Sequence, residues 1–211
     1  MMSVYFNGLL LGLSLIMALG PQNIFLIKQD ARKNHPVLSA LICFFCDFIL
    51  IIASVTGLHQ ILLAHPKLQI SMLELGAAFL LYYASKALHS VFLKKNPTTE
   101  NTPQPHNRIQ IVLFALGFGL LNPHAIIDTL VIIGSGSSEF PTHEVAFLSG
   151  AVTASLLWFS GLTLITHFFA NILTKNKVWK GIELFSGLLM GFIGIKLGLD
   201  GYHLLLKIMV L

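Results

Sequence analysis

The chain has 211 residues, of which 55% are hydrophobic and only 10% are charged, with 13 basic residues against 9 acidic ones. Soluble domains carry about 25% charged residues, so a water-facing surface of this size would remain largely uncovered. The composition excludes a soluble enzyme, a disordered chain and a protein with a nucleic-acid partner. It favours one membrane-embedded domain over residues 1–211.

Six apolar stretches are long enough to cross a bilayer. A hydrocarbon core about 30 Å thick needs roughly 20 apolar residues per helix, and residues 4–27, 37–63, 68–93, 109–133, 145–173 and 181–206 meet that length. We therefore predict an all-α integral membrane protein with six transmembrane helices in contact with membrane lipid. A proline-containing linker at 96–107 would separate a first half (about 1–95) from a second half (about 108–211).

The first stretch contains a helix break at Gly20 and Pro21. Proline lacks a backbone N–H and crowds the carbonyl four residues earlier, so the helix should kink or unwind there. Backbone groups freed inside a membrane need polar partners. The side-chain amides of Gln22 and Asn23 are placed to supply them and to bind substrate. A kink with local repair is the alternative interpretation of a single proline.

The second stretch carries an acid near its centre. Asp47 lies about ten residues into the helix, or about 15 Å at 1.5 Å per residue. A charge at that depth costs about 2.5–3.5 kcal/mol on insertion scales, so it usually faces a partner or a transport pathway. Asp47 is therefore a candidate cation or proton site, or else half of a structural pair with Lys196. Cys43 and Cys46 form a C-x-x-C motif, which leaves a thiol–disulfide carrier as a further alternative.

The fourth stretch repeats the pattern of the first. Pro123 is flanked by Asn122 and His124, and a second membrane acid, Asp128, follows. Because the second break falls three spans after the first, an odd number, the halves would lie upside down relative to each other. Two inverted three-helix repeats with broken first and fourth helices are typical of secondary transporters, which bind substrate between the repeats.

Two further side chains are candidates for the transport pathway. His124 could relay protons, and Trp158, in the middle of the fifth stretch, could line a cavity or simply pack. Neither His124 nor His167 belongs to a cluster of histidine, cysteine and carboxylate residues with metal-ligand spacing. We therefore predict no metal site and no cofactor.

Basic residues are concentrated in the loops that the six-helix topology places on one side. Lys28, Arg32, Lys33, Lys86, Lys94, Lys95, Arg108, Lys175, Lys177 and Lys180 fall there, against Lys67 and Lys207 on the other side. Loops rich in lysine and arginine stay in the cytoplasm. Both termini are therefore predicted to lie outside.

Several of these segments closely resemble the lysine/arginine exporter family (LysE/ArgO type). They are Gly20-Pro21-Gln22-Asn23, Cys46-Asp47, Asn122-Pro123-His124 with Asp128, Ala154-Ser155-Leu156-Leu157-Trp158 and Leu199-Asp200-Gly201. The resemblance implies a six-helix exporter of basic amino acids in the inner membrane of a bacterium. It also implies that the two broken segments and the two aspartates form the substrate site. Whether the chain forms a homo-oligomer stays open.

The residues themselves favour the same substrate class. A cationic side chain crossing a bilayer needs an anionic partner, and Asp47 and Asp128 are the acids well inside the predicted helices. An inside-negative potential opposes exit of a cation by about 2.3 kcal/mol per charge and 100 mV. No nucleotide-binding P-loop is present, so proton antiport is the expected energy source. Export of a neutral amino acid or of a metal cation is the alternative.

Overall fold

The computed structural model describes residues 1–17, 20–56, 65–93, 107–121 and 123–210, and its regular secondary structure in these ranges is entirely α-helical. In chain order the helices are α1 (Met2–Ile16), α2 (Pro21–Ala31), α3 (Pro36–Ala53), α4 (Pro66–Leu93), α5 (Arg108–Leu120), α6 (Pro123–Ser138), α7 (Glu144–Leu173) and α8 (Asn176–Val210). Four of them begin at a proline, which is tolerated there because the first N–H groups of a helix have no partner within the helix.

Four of these helices are long and apolar enough to cross a membrane by themselves. They are α3, most of α4, α7 and most of α8. Helices α1 and α2 together make a fifth candidate span, bent by 79° at its break. Large apolar side chains such as Phe168 and Phe192 remain 73% and 69% exposed, which suits contact with lipid rather than with water. The chain is thus a multi-span helical membrane protein, and the count of six spans stays a prediction.

The two breaks fall at the predicted prolines. Helix α1 ends at Ile16 and α2 begins at Pro21, with Gly20 in an extended conformation as its N-cap. Helix α5 ends at Leu120 and α6 begins at Pro123. The predicted fourth span is therefore divided between two short apolar helices. Each proline starts a new helix, because its missing N–H is not needed there.

The predicted linker at 96–107 lies almost wholly outside the described residues. Its last residue, Asn107, caps helix α5. The Asn107 side chain accepts from the backbone of Gln110, while the Gln110 side chain accepts from the Asn107 backbone N–H at 3.2 Å. This reciprocal pair satisfies two N–H groups at the helix start.

Most of the helix packing joins the first half of the chain to the second. The most extensive interfaces are between α4 and α8 and between α1 and α7. Helix α3 packs against α5, α6 and α7, and α2 packs mainly against α7. The larger hydrophobic core combines buried residues of α2, α3, α4, α5, α7 and α8. The polar breaks therefore lie where the two halves meet.

Small residues allow α1 and α7 to approach closely. A Cβ atom on Gly8 would collide with the backbone carbonyl of Phe147, and one on Gly12 would lie 3.0 Å from the Cα of Ala151. Close backbone contact through small residues is a common way for membrane helices to associate, since lipid gives no hydrophobic drive between them. This contact fixes α1 along α7 and sets the position of the break that follows.

Candidate substrate site

A cavity of about 360 Å³ lies beside the α1–α2 break. Side chains and backbone from seven of the described helices contribute to its wall. The lining residues are Gly12, Ser14, Leu15, Ile16, Gly20, Pro21, Gln22, Asn23, Asp47, Ile51, Phe118, Asp128, Thr129, Ile133, Phe159 and Ile193. Small-ligand sites usually enclose about 300–1,000 Å³, so the cavity is large enough for one small molecule. Most of the sequence-predicted site residues with described side chains meet here.

Asn23 repairs the break in the first span. Its side-chain Nδ2 donates a 3.0 Å hydrogen bond to the carbonyl of Ile16, the last residue of α1. Its Oδ1 accepts a 3.1 Å bond from the indole Nε1 of Trp158 on α7. Asn23 is 4% exposed. A buried carbonyl without a partner costs about 1–3 kcal/mol, so this amide stabilises the broken geometry.

Asp47 is held from two sides. The hydroxyl of Ser155 on α7 donates a 3.1 Å hydrogen bond to Oδ2 of Asp47, and the Gln22 side chain lies beside the same carboxyl group. The Gln22 amide also donates a long, 3.4 Å bond to the carbonyl of Cys43. Asp47 is half-buried and lines the cavity. Neutral donors around one carboxylate leave its charge available to a cation.

The alternative pair between Asp47 and Lys196 is not formed. In the part of the chain that the structure describes, Asp47 has no ion pair within 4.0 Å, and the Lys196 side chain is exposed on α8. The interpretation of Asp47 as a purely structural partner of Lys196 is therefore wrong for this conformation.

Asp128 lines the same cavity from α6. Its side chain is exposed to that space, and Thr129 beside it contributes to the wall. Two acids from different halves of the chain thus line one cavity. Carboxylates concentrated in a cleft attract cations and repel anions.

The remaining predicted site residues have different outcomes. Trp158 is half-buried and is not among the lining residues of the cavity, but it donates a hydrogen bond to Asn23, which is. Asn122 lies outside the described residues, and so does the side chain of His124. Pro123 begins α6, as described above.

A cluster of aromatic side chains adjoins one wall of the cavity. Phe118 lines the wall, and its ring centroid lies 5.1 Å from that of Phe25, 4.8 Å from that of Phe79 and 4.8 Å from that of Tyr83. We call these four residues the aromatic floor. Aromatic clusters of this kind pack densely. Phe25 places this one partway along α2, between the residues that line the cavity and the C-terminal end of that helix.

A charged cluster near the C-terminal end of α2 escaped the sequence analysis. Lys28 Nζ lies 2.7 Å from Oε2 of Glu183 and 3.1 Å from Oγ of Ser186, while Nη2 of Arg32 lies 4.0 Å from Oε1 of Glu183. The Arg32 guanidinium also stacks 4.3 Å above the ring of Trp179. We call these five residues the Glu183 cluster. Trp179 is 1% exposed.

Cys43 and Cys46 are free thiols, and both are buried. Thiol–disulfide exchange needs an accessible thiolate, and the contacts of Cys46 include close packing against Gly119. Within the described residues there is also no group of three or more histidine, cysteine or acidic side chains able to hold a metal ion.

Helices that span the membrane around a cavity with broken backbone define a membrane transport protein rather than an enzyme, and the comparisons with known proteins agree. A family model described as LysE type translocator matches residues 13–201, so the chain belongs to the LysE type translocator family. It is 34% identical over 204 residues to the arginine exporter protein ArgO of Enterobacter sp. (strain 638), covering 96% of this chain and 97% of the relative.

Two further relatives carry the same name. The arginine exporter proteins ArgO of Escherichia coli (strain K12) and Klebsiella pneumoniae (strain 342) are each 34% identical over 202 residues, covering 95% of this chain and 96% of each relative. No solved structure matches the chain. The resemblance identified from the sequence is thus confirmed at the level of the family.

Proposed function

We propose that this chain exports the basic amino acids arginine and lysine from the bacterial cytoplasm across the inner membrane. The observation that carries the proposal is the cavity that Asp47 and Asp128 share with Gln22 and Asn23 at the broken first span. Its two carboxylates complement the charge of a cationic side chain, and the polar backbone groups at its helix break complement the α-amino and α-carboxylate groups of an amino acid. The relatives named as arginine exporters support the same substrate class.

The two ends of a basic amino acid would bind to different parts of the cavity wall. Asp47 and Asp128 would take the cationic side chain or exchange it for a proton. The N-terminal end of α2, which follows Gly20, has backbone N–H groups without partners within the helix and the positive end of the helix dipole, both of which attract a carboxylate. Gln22 lies between the two and can contact either end.

The helix contacts support two inverted repeats. If each of α1 to α4 is exchanged with its counterpart among α5 to α8, in order, each interface is expected to have a matching one. The α1–α7 interface then matches α5–α3, α2–α7 matches α6–α3, and α2–α8 matches α6–α4. The α4–α8 and α3–α7 interfaces map onto themselves, and only the small α7–α8 contact stands apart among the described helices. Three spans per repeat, an odd number, would make the repeats inverted. Each repeat would begin with a broken span, which gives six spans in total.

Proton exchange would supply the driving force. An inside-negative potential opposes the exit of a cation, and inward movement of one proton for each exported cation removes that charge cost. Asp47 suits this exchange because neutral hydrogen-bond donors hold it, so the carboxyl group is not committed to a fixed cation.

Efflux measurements test the proposal. Cells preloaded with radiolabelled arginine, lysine or threonine should lose the first two faster when the chain is produced, and threonine at the rate of empty cells. Competition by unlabelled substrates then separates the alternatives. Threonine loss without arginine loss would indicate a neutral amino-acid exporter, and inhibition by divalent metal ions alone would indicate a metal-cation exporter.

A further inference from the structure

The Glu183 cluster joins the two halves of the chain at the far side of the aromatic floor. The cavity reaches the first turn of α2, whereas Lys28 lies about 9 Å further along the same helix at 1.5 Å per residue. Phe25 of the aromatic floor lies between the two along α2. Glu183 and Ser186 belong to α8, so the cluster connects α2 to the other half.

The basic loops indicate which side of the membrane this is. Arg32 lies just beyond the C-terminal end of α2, and Trp179 lies in the first turn of α8, close in sequence to Lys175 and Lys177. These positions belong to the side with most of the basic residues, which is the cytoplasmic side in the proposed orientation. The contacts of Lys28 with Glu183 and Ser186 thus join α2 to α8 on the predicted cytoplasmic side of the cavity.

The Glu183 cluster contains an ammonium group and a guanidinium group, the same two cationic groups that the side chains of lysine and arginine substrates carry. The ammonium of Lys28 is bound by one carboxylate oxygen of Glu183 and the hydroxyl of Ser186. The guanidinium of Arg32 lies over the indole of Trp179 and near the other carboxylate oxygen. The Glu183 side chain is only 9% exposed. A buried acid beside an aromatic face is a suitable site for a desolvated organic cation.

We propose that Glu183 is a cytoplasmic receiving site for the cationic side chain of the substrate, and that Lys28 occupies this site while the cytoplasmic side is closed. This inference rests on the proposed function and adds a binding site to it. An incoming arginine or lysine replaces Lys28 on Glu183, which breaks the contact between α2 and α8 and gives the substrate access towards the aromatic floor. Lys28 therefore competes with the substrate.

A merely structural ion pair behaves differently. Removing either partner of a buried pair leaves the other charge uncompensated, so both single changes impair the protein in the same way and the double change restores it. In the receiving-site arrangement the two single changes act in opposite directions on substrate affinity. The direction of the shift therefore separates the two roles.

The experiment uses everted membrane vesicles, in which the cytoplasmic face meets the medium, and follows uptake of radiolabelled arginine over a range of concentrations. Glu183→Gln should raise the half-saturating arginine concentration about tenfold or more, because a charge-assisted bond is lost. Lys28→Met should lower it several-fold, because the competing ammonium is gone while Arg32 still partners Glu183. Lys177→Met, an exposed lysine on the same side, and Glu139→Gln, an exposed loop acid, are the matched controls and should leave it unchanged.

Opposite shifts at matched protein levels support the proposal. Equal losses that the double variant restores would overturn it, as would an unchanged half-saturating concentration in both single variants. Should Glu183→Gln not reach the membrane, Lys28→Met alone decides, because an unchanged or raised value contradicts competition. Failure of the wild-type protein to take up arginine would instead overturn the proposed function itself.

Discussion

Trp158 and Asn23 are 135 residues apart in sequence, yet the indole Nε1 donates a 3.1 Å hydrogen bond to the Asn23 Oδ1. The same Asn23 side chain donates to the last carbonyl of α1. One buried amide therefore connects the end of α1, the first turn of α2 and the middle of α7. The shape of the break in the first half depends on a side chain from the second half.

Trp158→Phe should reduce arginine export several-fold without loss of the protein from the membrane. Phenylalanine keeps the aromatic packing but removes the N–H, so Asn23 loses this hydrogen bond, whose net contribution is about 0.5–1.5 kcal/mol. Efflux of radiolabelled arginine at matched protein levels measures the effect.

A double-mutant cycle checks that Trp158 acts through Asn23. If both residues serve one hydrogen bond, Trp158→Phe with Asn23→Ala should export no worse than Asn23→Ala alone. Fully additive losses would show that Trp158 contributes by contacts other than this bond.

Asp47→Asn should abolish arginine and lysine export while leaving insertion normal. Asparagine preserves the size of the side chain and can still accept from Ser155, but it carries no charge to bind a cation or a proton. Glu139→Gln, which neutralises an exposed loop acid, is the matched control. Asp128→Asn should also impair export, less completely, since Asp128 is the more exposed of the two cavity acids.

Adding Lys196→Met to Asp47→Asn should not restore export. Asp47 and Lys196 form no ion pair in the described conformation. Removing the Lys196 charge therefore does not compensate for the loss of the Asp47 charge. Recovery of export in the double variant would mean that the two residues do pair during transport and that Asp47 is structural.

Gly8→Ala should lower the amount of folded protein in the membrane, because its Cβ would meet the Phe147 carbonyl. Forced overpacking typically costs about 1–3 kcal/mol. Gly161→Ala is the control on α7, since a Cβ there would meet nothing within 4 Å. Thermal unfolding of the two variants in detergent should differ, with Gly8→Ala the less stable; equal stability would argue against close α1–α7 packing.

Replacing Cys43 and Cys46 by serine should leave export within about twofold of the wild type. Both thiols are buried and free, and a buried serine can bond to a carbonyl of its own helix. A loss of export that is equal under reducing and oxidising conditions would indicate that the two cysteines contribute by packing and not by redox chemistry. A loss of a redox dependence that the wild type shows would instead revive the thiol–disulfide carrier.

Single cysteines in that cysteine-free protein test the orientation. Glu139→Cys, in the exposed connection between α6 and α7, should react in intact cells with a membrane-impermeant thiol reagent. Lys177→Cys, exposed at the start of α8, should react only after the membrane is opened. The reverse pattern would place the termini inside and move the Glu183 cluster to the outer side.

The sequence predicted the positions that depend on local chemistry. Proline breaks a helix wherever it falls, so Pro21 and Pro123 fixed both interruptions, and the cost of a buried charge marked Asp47. The partners could not be read in this way, because they depend on which helices pack together. Ser155 is 108 residues from Asp47 in sequence, and Glu183 is 155 residues from Lys28. Lys28 had been interpreted only as a topology signal, since no local pattern shows that α8 lies against α2.

The packing of one half of the chain against the other also bears on how the protein is made. Helices α1 to α4 leave the ribosome before α7 and α8, against which α1 and α4 make their most extensive contacts. Until then their inner faces contact lipid tails, which are as apolar as leucine. During this time Asp47 lacks its hydrogen bond from Ser155, and Lys28 lacks its ion pair with Glu183. Neither half completes its own charged and polar contacts, so final assembly must follow insertion of the last helix.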